Sequence, residues 1–213
     1  MTGPVHIDAI EDPGGAVDQL VEALLAGELV VLPTDTVYGL AALPGDEGAT
    51  SALFDLKGRS RATPLALLCA DVLQAVGLVP PEDAVELHAV GERWWPGPLT
   101  LVCRRRPGLE LHLGEPPTTV GLRVPDHPLV RAVTERVGPI AATSANRHGQ
   151  PTAATAEEAL LAVGAGIAVV ADEGPLEGRA STVIDTTTTP WHVLREGPLP
   201  ASEVVPTTDV PLL

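Results

Sequence analysis

Short apolar runs alternate with segments of helical periodicity along most of this 213-residue chain. In residues 14–27 the apolar side chains recur at helical spacing, which predicts a helix that ends at Gly27. Residues 28–33 (ELVVLP) form an apolar run closed by proline, which predicts a strand. Other strands are expected in PLALLC, PLTLVC, TVGLRV, PIAAT, IAVVAD, STVID and WHVLR, and other helices in residues 46–56, 70–76, 82–94, 127–137 and 155–163. Strands that alternate with helices, with no polar linker, predict a single α/β domain with a mixed, twisted sheet.

The charge of the chain is strongly negative, and this changes which partners can be expected. There are 28 acidic residues against 13 Lys and Arg, giving a net charge of -15, and the first fifty residues contain no Lys or Arg. Such a surface repels polyanions, so we expect direct tRNA or DNA binding to be weak or absent. A small basic pocket inside an acidic shell remains compatible with this composition.

Several common sites and targeting signals are missing from the sequence. Cys69 and Cys103 each end an apolar run, which favours buried free thiols, and there is no Cys/His spacing typical of a metal site. The N-terminus lacks the pattern of a signal peptide, and no apolar run is long enough to span a membrane, so we expect a cytoplasmic protein without a membrane partner. A Walker-type loop, a dinucleotide fingerprint and a nucleophile elbow are also lacking.

The segment PTDTVYGL (residues 33–40) places three short polar side chains directly after a predicted strand. Asp and Thr bond readily to nearby backbone groups, so a simple turn explains the pattern as well as a binding site does. The alternative is a set of hydroxyl donors that face a ligand, with Gly39 allowing a close approach of the backbone. In α/β sheets, ligand residues gather where strands pass into loops, which favours this second interpretation.

The segment KGRSRATP (residues 57–64) contains Lys57, the only lysine of the chain, together with Arg59 and Arg61. A solvated loop would explain three cations. However, Lys57 and Arg59 lie between an apolar helix and an apolar strand, where they could grip a polyphosphate, the arginine as a planar fork and the lysine as a point charge.

Two further segments place polar residues at the end of, or within, a predicted strand. TSAN (residues 143–146) contains Asn146, the only asparagine, and taken alone this segment is better explained by a turn than by a binding site. In GLRVPDHP, Arg123 lies within an otherwise apolar strand, so it is either an edge residue or directed at an anion.

Taken in order, these segments are similar to the YrdC-like family of threonylcarbamoyl-AMP synthases. The resemblance is carried by PTDTVYGL, KGR, WPGPLTLV, VGLRVPDHP, PIAATSAN, STVID and VLREG, which occur in family order and at roughly family spacing. It implies an N-terminal extension (1–13), a YrdC-like catalytic domain (14–200) with a deep basic cavity, and a C-terminal tail (201–213).

The resemblance also implies a reaction. L-Threonine, bicarbonate or CO2, and ATP would give threonylcarbamoyl-AMP and pyrophosphate, so the chain would be a nucleotidyltransferase with ATP as substrate and Mg2+ as the counter-ion of the triphosphate. The product would pass to a tRNA threonylcarbamoyl transferase complex for threonylcarbamoyladenosine modification.

Site residues follow from the matched motifs. Lys57 and Arg59 would be catalytic, on the phosphates, and Thr36, Arg123 and Ser181 would bind threonine. The resemblance implies a larger set of ATP-binding residues, namely Lys57, Arg59, Thr63, Thr119, Ser144, Asn146, Thr152 and Arg195.

The chain departs from the family pattern at several positions. Leu68 stands where a histidine is common near the threonine pocket, and Ser60, Thr63, His148 and Glu196 also differ. These differences keep two alternatives open: a nucleotide- or RNA-binding module of YrdC-like type, and a carbamoyl-transferring paralogue with another substrate.

Overall fold

The computed structural model describes residues 3–176 and 178–205 of the chain. The helices are α1 (Pro13–Leu25), α2 (Glu47–Lys57), α3 (Val72–Val76), α4 (Ala84–Trp94), α5 (Pro128–Val137), α6 (Ala156–Val163) and α7 (Ala201–Val204). The strands are β1 (Val5–Asp8), β2 (Leu29–Leu32), β3 (Gly39–Ala42), β4 (Ala66–Leu68), β5 (Leu99–Arg104), β6 (Thr119–Arg123), β7 (Ile140–Ser144), β8 (Ile167–Asp172), β9 (Thr182–Asp185) and β10 (His192–Arg195).

All the strands join one mixed sheet, in the order β1-β8-β2-β3-β7-β4-β6-β5-β9-β10. Pairing is parallel between β1 and β8, β8 and β2, β4 and β6, and β5 and β9, and antiparallel elsewhere. The predicted α/β fold with a mixed sheet is therefore confirmed. No helix in the described ranges is both long and apolar enough to cross a bilayer.

Local sequence signals explain where the helices begin and end. Asp12, Asp46, Asp71 and Thr155 each accept a hydrogen bond from a backbone N–H in the first turn of the following helix. Helix α2 ends at Gly58, which adopts a left-handed conformation with φ of 61° that glycine tolerates at little cost. Such signals lie within a few residues of each boundary, which is why the helices could be predicted closely.

Two strands were not predicted, and both depend on partners distant in sequence. Gly39–Ala42 was included in a loop motif, but it forms β3, which pairs with β2 and with β7. Residues 5–8 were assigned to an N-terminal extension, but they form β1, the edge strand beside β8. The remaining domain boundaries stay a prediction, and residues 206–213 of the proposed tail lie outside the described residues.

The two faces of the sheet are covered differently. On one face, alternate strand residues such as Leu67, Leu101 and Leu122 pack into a large aliphatic core. On the other face, α1 and α5 cover only part of the sheet, where Val30, Ala41 and Val169 meet apolar side chains of both helices. The uncovered part of this second face, from β3 across to β9, forms the wall of a cavity.

Candidate active site

The cavity has a volume of about 460 Å³ and is lined by residues of seven neighbouring strands, from β3 to β10 in the order of the sheet, and by the loops next to them. Its floor consists of small side chains that share one face of the sheet, namely Gly39, Ala66, Gly121 and Ala142. Ala66 lies in register with both Gly121 and Ala142, so these three residues form a continuous row, and Gly39 lies one row away, in register with Ser144. Larger residues in this row would fill the space, and the volume lies within the range of about 300–1,000 Å³ typical of small-molecule sites.

Most of the residues expected at the site line this cavity, although they come from distant parts of the chain. They are Thr36, Arg59, Thr63, Thr119, Arg123, Ser144, Ser181 and Arg195. Lys57, Asn146 and Thr152 do not line it: Thr152 is exposed, whereas Lys57 and Asn146 are buried beside the cavity. The sheet register and the loop that precedes β3 bring the lining residues together.

Arg123 is held rigidly at one end of the cavity. Its guanidinium donates to Asp35 Oδ1 (2.5 Å), Thr36 Oγ1 (2.9 Å) and the carbonyl of Gly97 (3.2 Å), and only 6% of the residue is exposed. Burial lowers the pKa of Arg123, and the carboxylate of Asp35 opposes that shift. Thr34 Oγ1 contacts Thr36 Oγ1 at 3.0 Å and donates to the Val37 carbonyl, so the PTDTV segment is an ordered turn whose hydroxyls also reach the cavity. The turn is therefore confirmed, and the binding of a ligand by these hydroxyls stays a prediction.

Ser181 and Arg195 form a second group on the neighbouring strands. Arg195 donates through Nε to the carbonyl of Ser181 (2.8 Å) and through Nη2 to its Oγ (3.1 Å). The Ser181 hydroxyl also lies 2.8 Å from the hydroxyl of Thr100, which lines the cavity and was not predicted as a site residue. Burial, together with the positive charge of Arg123, lowers the pKa of Arg195.

Arg59 supports the loop that carries it while also facing the cavity. Its Nε donates to the Thr63 carbonyl (2.6 Å) and its Nη2 to the Pro64 carbonyl (2.7 Å), and its Nη1 approaches Thr143 Oγ1 at 3.4 Å. Burial and the charge of Arg195 lower the pKa of Arg59. Arg195 thus repels both Arg59 and Arg123 across the cavity, and an anionic ligand would relieve this repulsion.

Lys57 is enclosed by the TSAN loop and is only 3% exposed. Its Nζ donates to the carbonyls of Ser144 (2.5 Å) and Asn146 (2.8 Å), and it lies 3.1 Å from Ser144 Oγ and 2.7 Å from Asn146 Oδ1. Four oxygen atoms therefore surround three N–H donors, which leaves no donor directed at the cavity. Burial, with the nearby charge of Arg59, lowers the pKa of Lys57 to about 7.

Asn146 extends this network away from the cavity. Its Nδ2 donates to the carbonyls of Arg147 (3.1 Å) and Gln150 (2.5 Å), and its Oδ1 accepts from Ser144 Oγ (2.6 Å). Lys57 and Asn146 thus fix the loop that presents Ser144. The expectation that they contact ATP directly stays a prediction.

Asp185 is a charged residue of the cavity that was not predicted as a site residue. Asp185 and Val183 occupy alternate positions of β9, Ser181 lies directly before this strand, and all three line the cavity. The alternation in the motif STVID is the signal that could have found it, since every second strand residue faces the same side.

Known proteins that resemble this chain agree with its fold. Residues 22–197 match the sequence profile of the Sua5/YciO/YrdC family, whose description is "Telomere recombination". This chain belongs to the Sua5/YciO/YrdC family.

Individual members of the Sua5/YciO/YrdC family resemble the chain over most of its length. A putative threonylcarbamoyl-AMP synthase of Mycobacterium tuberculosis is 42% identical over 187 residues, covering 86% of this chain and 85% of that protein. Sua5 of Pyrococcus abyssi, complexed with L-threonine, is 34% identical with a TM-score of 0.80, covering 96% of this chain and 59% of that one. YciO of E. coli, at 24% identity and a TM-score of 0.80 over 95% of this chain and 98% of that one, shares the fold. The chain thus spans about three-fifths of the archaeal Sua5.

Proposed function

We propose that this protein is a threonylcarbamoyl-AMP synthase that converts L-threonine, bicarbonate and ATP into threonylcarbamoyl-AMP, pyrophosphate and water. The observation that carries the proposal is the composition of the cavity. Three arginines and several hydroxyl side chains surround its floor of small residues, and the fold is that of this family. The similarity to the putative threonylcarbamoyl-AMP synthase of Mycobacterium tuberculosis supports the same reaction. It would make the protein a nucleotidyltransferase.

Arg123 is the natural partner for the carboxylate of threonine. It is buried, its orientation is fixed by Asp35 and Thr36, and a planar guanidinium matches a carboxylate in two parallel hydrogen bonds. The nearby hydroxyls of Thr36 and Ser181 would orient the rest of the amino acid. The threonine amine, once converted to a carbamate by CO2, would then lie toward the centre of the cavity.

Arg59 and Arg195 are suited to the phosphate part of the reaction. A carbamate oxygen attacks the α-phosphorus, the bond from phosphorus to the bridging oxygen breaks, and pyrophosphate leaves with that electron pair. Negative charge grows on the phosphoryl oxygens and on the leaving group, so fixed cations are more useful here than a protein nucleophile. Thr63, Thr119 and Ser144 would add hydroxyl donors.

Mg2+ would enter with the triphosphate and would not be held by a protein site. Within residues 3–176 and 178–205, no group of three or more His, Cys, Asp or Glu side chains could hold a metal ion. Asp185 is the single carboxylate among the described residues that line the cavity. The residues present therefore do not form a ligand set for the ion, and no step is assigned to it.

We also propose a cytoplasmic enzyme whose product passes to a separate tRNA threonylcarbamoyl transferase complex. A net charge of -15 supports weak or absent direct tRNA binding. An RNA-binding module is the alternative, and it would require an affinity for RNA that falls steeply with salt.

The decisive experiment incubates the protein with ATP, threonine and bicarbonate and measures pyrophosphate and the adenylate product. We expect Arg59→Gln to lower the rate roughly a hundredfold, as for the loss of one transition-state donor. Exposed Arg106 provides a matched control, since Arg106→Gln should leave the rate unchanged.

The assay should also test which amino acid is the substrate, because Leu68 lies at the expected amino-acid site. It lines the cavity in register with Arg123 on the neighbouring strand. Serine and other small amino acids should therefore be compared with threonine. If another amino acid is turned over and threonine is not, that amino acid is the substrate in place of threonine. If no amino acid is turned over, the proposed function is refuted.

A further inference from the structure

The carboxylate of Asp185 has no role in the reaction described above. It lies at the end of β9 and is the one acidic side chain among the described residues that line the cavity, whereas three arginines line the same space. A carboxylate in a cavity suited to a triphosphate and an amino-acid carboxylate would repel both of those groups. Its presence calls for a ligand group that is neutral and donates hydrogen bonds.

The side chain is fixed so that one oxygen is occupied and the other is available. Oδ1 accepts from the backbone N–H of Thr187 (2.8 Å) and from Thr187 Oγ1 (2.7 Å). In the described part of the chain, Oδ2 accepts no hydrogen bond and Asp185 forms no ion pair with any arginine. The residue is half-buried, so a ligand that reached Oδ2 would meet an oriented acceptor.

The neighbours of Asp185 indicate which part of a nucleotide would reach it. Val102 lies beside it in register on β5, and Val183 precedes it on the cavity face of β9. Arg195 is paired with Val183, one cavity-facing step back along the strand, which is about 7 Å at the usual rise. Arg195 is expected at the phosphates, and the group bonded directly to the α-phosphate of ATP is its ribose.

We propose that Asp185 accepts a hydrogen bond from the ribose hydroxyls of the nucleotide and thereby selects ribonucleotides over deoxyribonucleotides. Vicinal hydroxyls are neutral donors, and a carboxylate is the group that dinucleotide-binding proteins commonly use to bind them. The apolar neighbours Val102 and Val183 exclude water from this contact and increase its strength. The inference rests on the proposed function, because it assumes that ATP occupies the cavity.

The test compares the binding of ATP, 2′-deoxy-ATP and 3′-deoxy-ATP by calorimetry in the wild type and in Asp185→Ala. A hydrogen bond to a charged acceptor corresponds to a preference for ATP of about tenfold to a hundredfold over at least one deoxy analogue. Asp185→Ala should weaken ATP by that factor, leave the deoxy analogue unchanged and so abolish the preference. Thr187→Val, which removes one of the two donors to Oδ1, should reduce the preference partly, and exposed Thr188→Ala should not change it.

Several results would overturn the inference. If the wild type binds the three nucleotides with equal affinity, Asp185 accepts no hydrogen bond from a ribose hydroxyl. If Asp185→Ala changes the affinity for ATP relative to inosine triphosphate, but not relative to the deoxy analogues, Asp185 contacts the base. A change only in the Mg2+ dependence would make it a metal ligand. Pyrophosphate release with threonine, measured in parallel, separates these failures from failure of the proposed function, which would show no product with any nucleotide.

Discussion

Replacing Lys57 by methionine should damage both the stability of the protein and its affinity for ATP. Methionine keeps the length of the side chain but removes the ammonium, which leaves the carbonyls of Ser144 and Asn146 and the amide oxygen of Asn146 without this donor. Each buried polar group left unpaired costs about 1–3 kcal/mol. Removal of a buried charge offsets part of that loss, so we expect a net decrease of about 2–4 kcal/mol in the free energy of unfolding.

Urea unfolding measures this loss directly, and thermal unfolding should show a midpoint lower by roughly 4–16 °C. The Michaelis constant for ATP should rise because the loop that presents Ser144 loses its anchor. Lys57→Arg should also lower the stability and raise the Michaelis constant for ATP, since a planar guanidinium cannot replace a compact ammonium among four converging oxygens. Arg61→Met is the matched control: Arg61 is exposed and stacks on Phe54 at 5.1 Å, so its replacement should lower stability by at most about 1 kcal/mol, less than the loss at Lys57.

The pH dependence of stability gives a second measurement on the same residue. The pKa of Lys57 falls from 10.5 in the unfolded chain to about 7 in the folded protein, so the folded state binds fewer protons between these values. The contribution of Lys57 should therefore become more favourable as pH rises from about 7 to 10.5, by at most about 1.4 kcal/mol per pH unit. Below pH 7 the full cost of the buried charge is present. Lys57→Met should lack this slope.

Two results would refute the reasoning about Lys57. If Lys57→Met is within about 0.5 kcal/mol of the wild type and binds ATP normally, the network around the ammonium is not important for the site. If both proteins show the same pH dependence, the four oxygens keep the ammonium protonated in spite of its burial.

Arg123→Lys should raise the Michaelis constant for threonine by roughly tenfold or more, with a much smaller effect on ATP, because lysine keeps the charge but loses the planar fork; equal effects on both substrates in steady-state kinetics would contradict this assignment. A Cβ atom at Gly178 would lie 1.6 Å from the carbonyl oxygen of Thr36, so Gly178→Ala should displace the threonine side of the cavity, seen as weaker threonine binding with normal ATP binding in calorimetry. Burial raises the pKa of both thiols, that of Cys103 to about 12, so neither Cys69 nor Cys103 should react with a thiol reagent until the protein is unfolded, and rapid labelling of the native protein would show that they are accessible.

The alternation of apolar runs and helical periodicity was sufficient to predict six of the seven helices of the described residues and most of the strands. The short helix α7 was not predicted, since residues 201–213 were expected to form a tail. Helix ends at Asp46 and Gly58, for example, depend on hydrogen bonds and backbone angles within a few residues, and these are written locally in the sequence. The strands β1 and β3 escaped prediction because the segments VHID and GLAA contain no run of large apolar or β-branched residues, and both strands are stabilised by pairing with distant segments. Pairing partners are not encoded in any short window.

The same division holds for the site. Sequence alone determined which chemical groups were available: arginines for anions, hydroxyls for orientation, and a single lysine beside them. Only the tertiary structure decided where they face. In the folded protein, Lys57 points into the TSAN loop, and Oδ2 of Asp185 stays available. Helices α1 and α5 leave part of one sheet face uncovered, and the Gly and Ala residues there form the floor of the cavity. The direction of a side chain depends on sheet register and on which helices cover each face, and both are set by contacts between residues far apart in the chain.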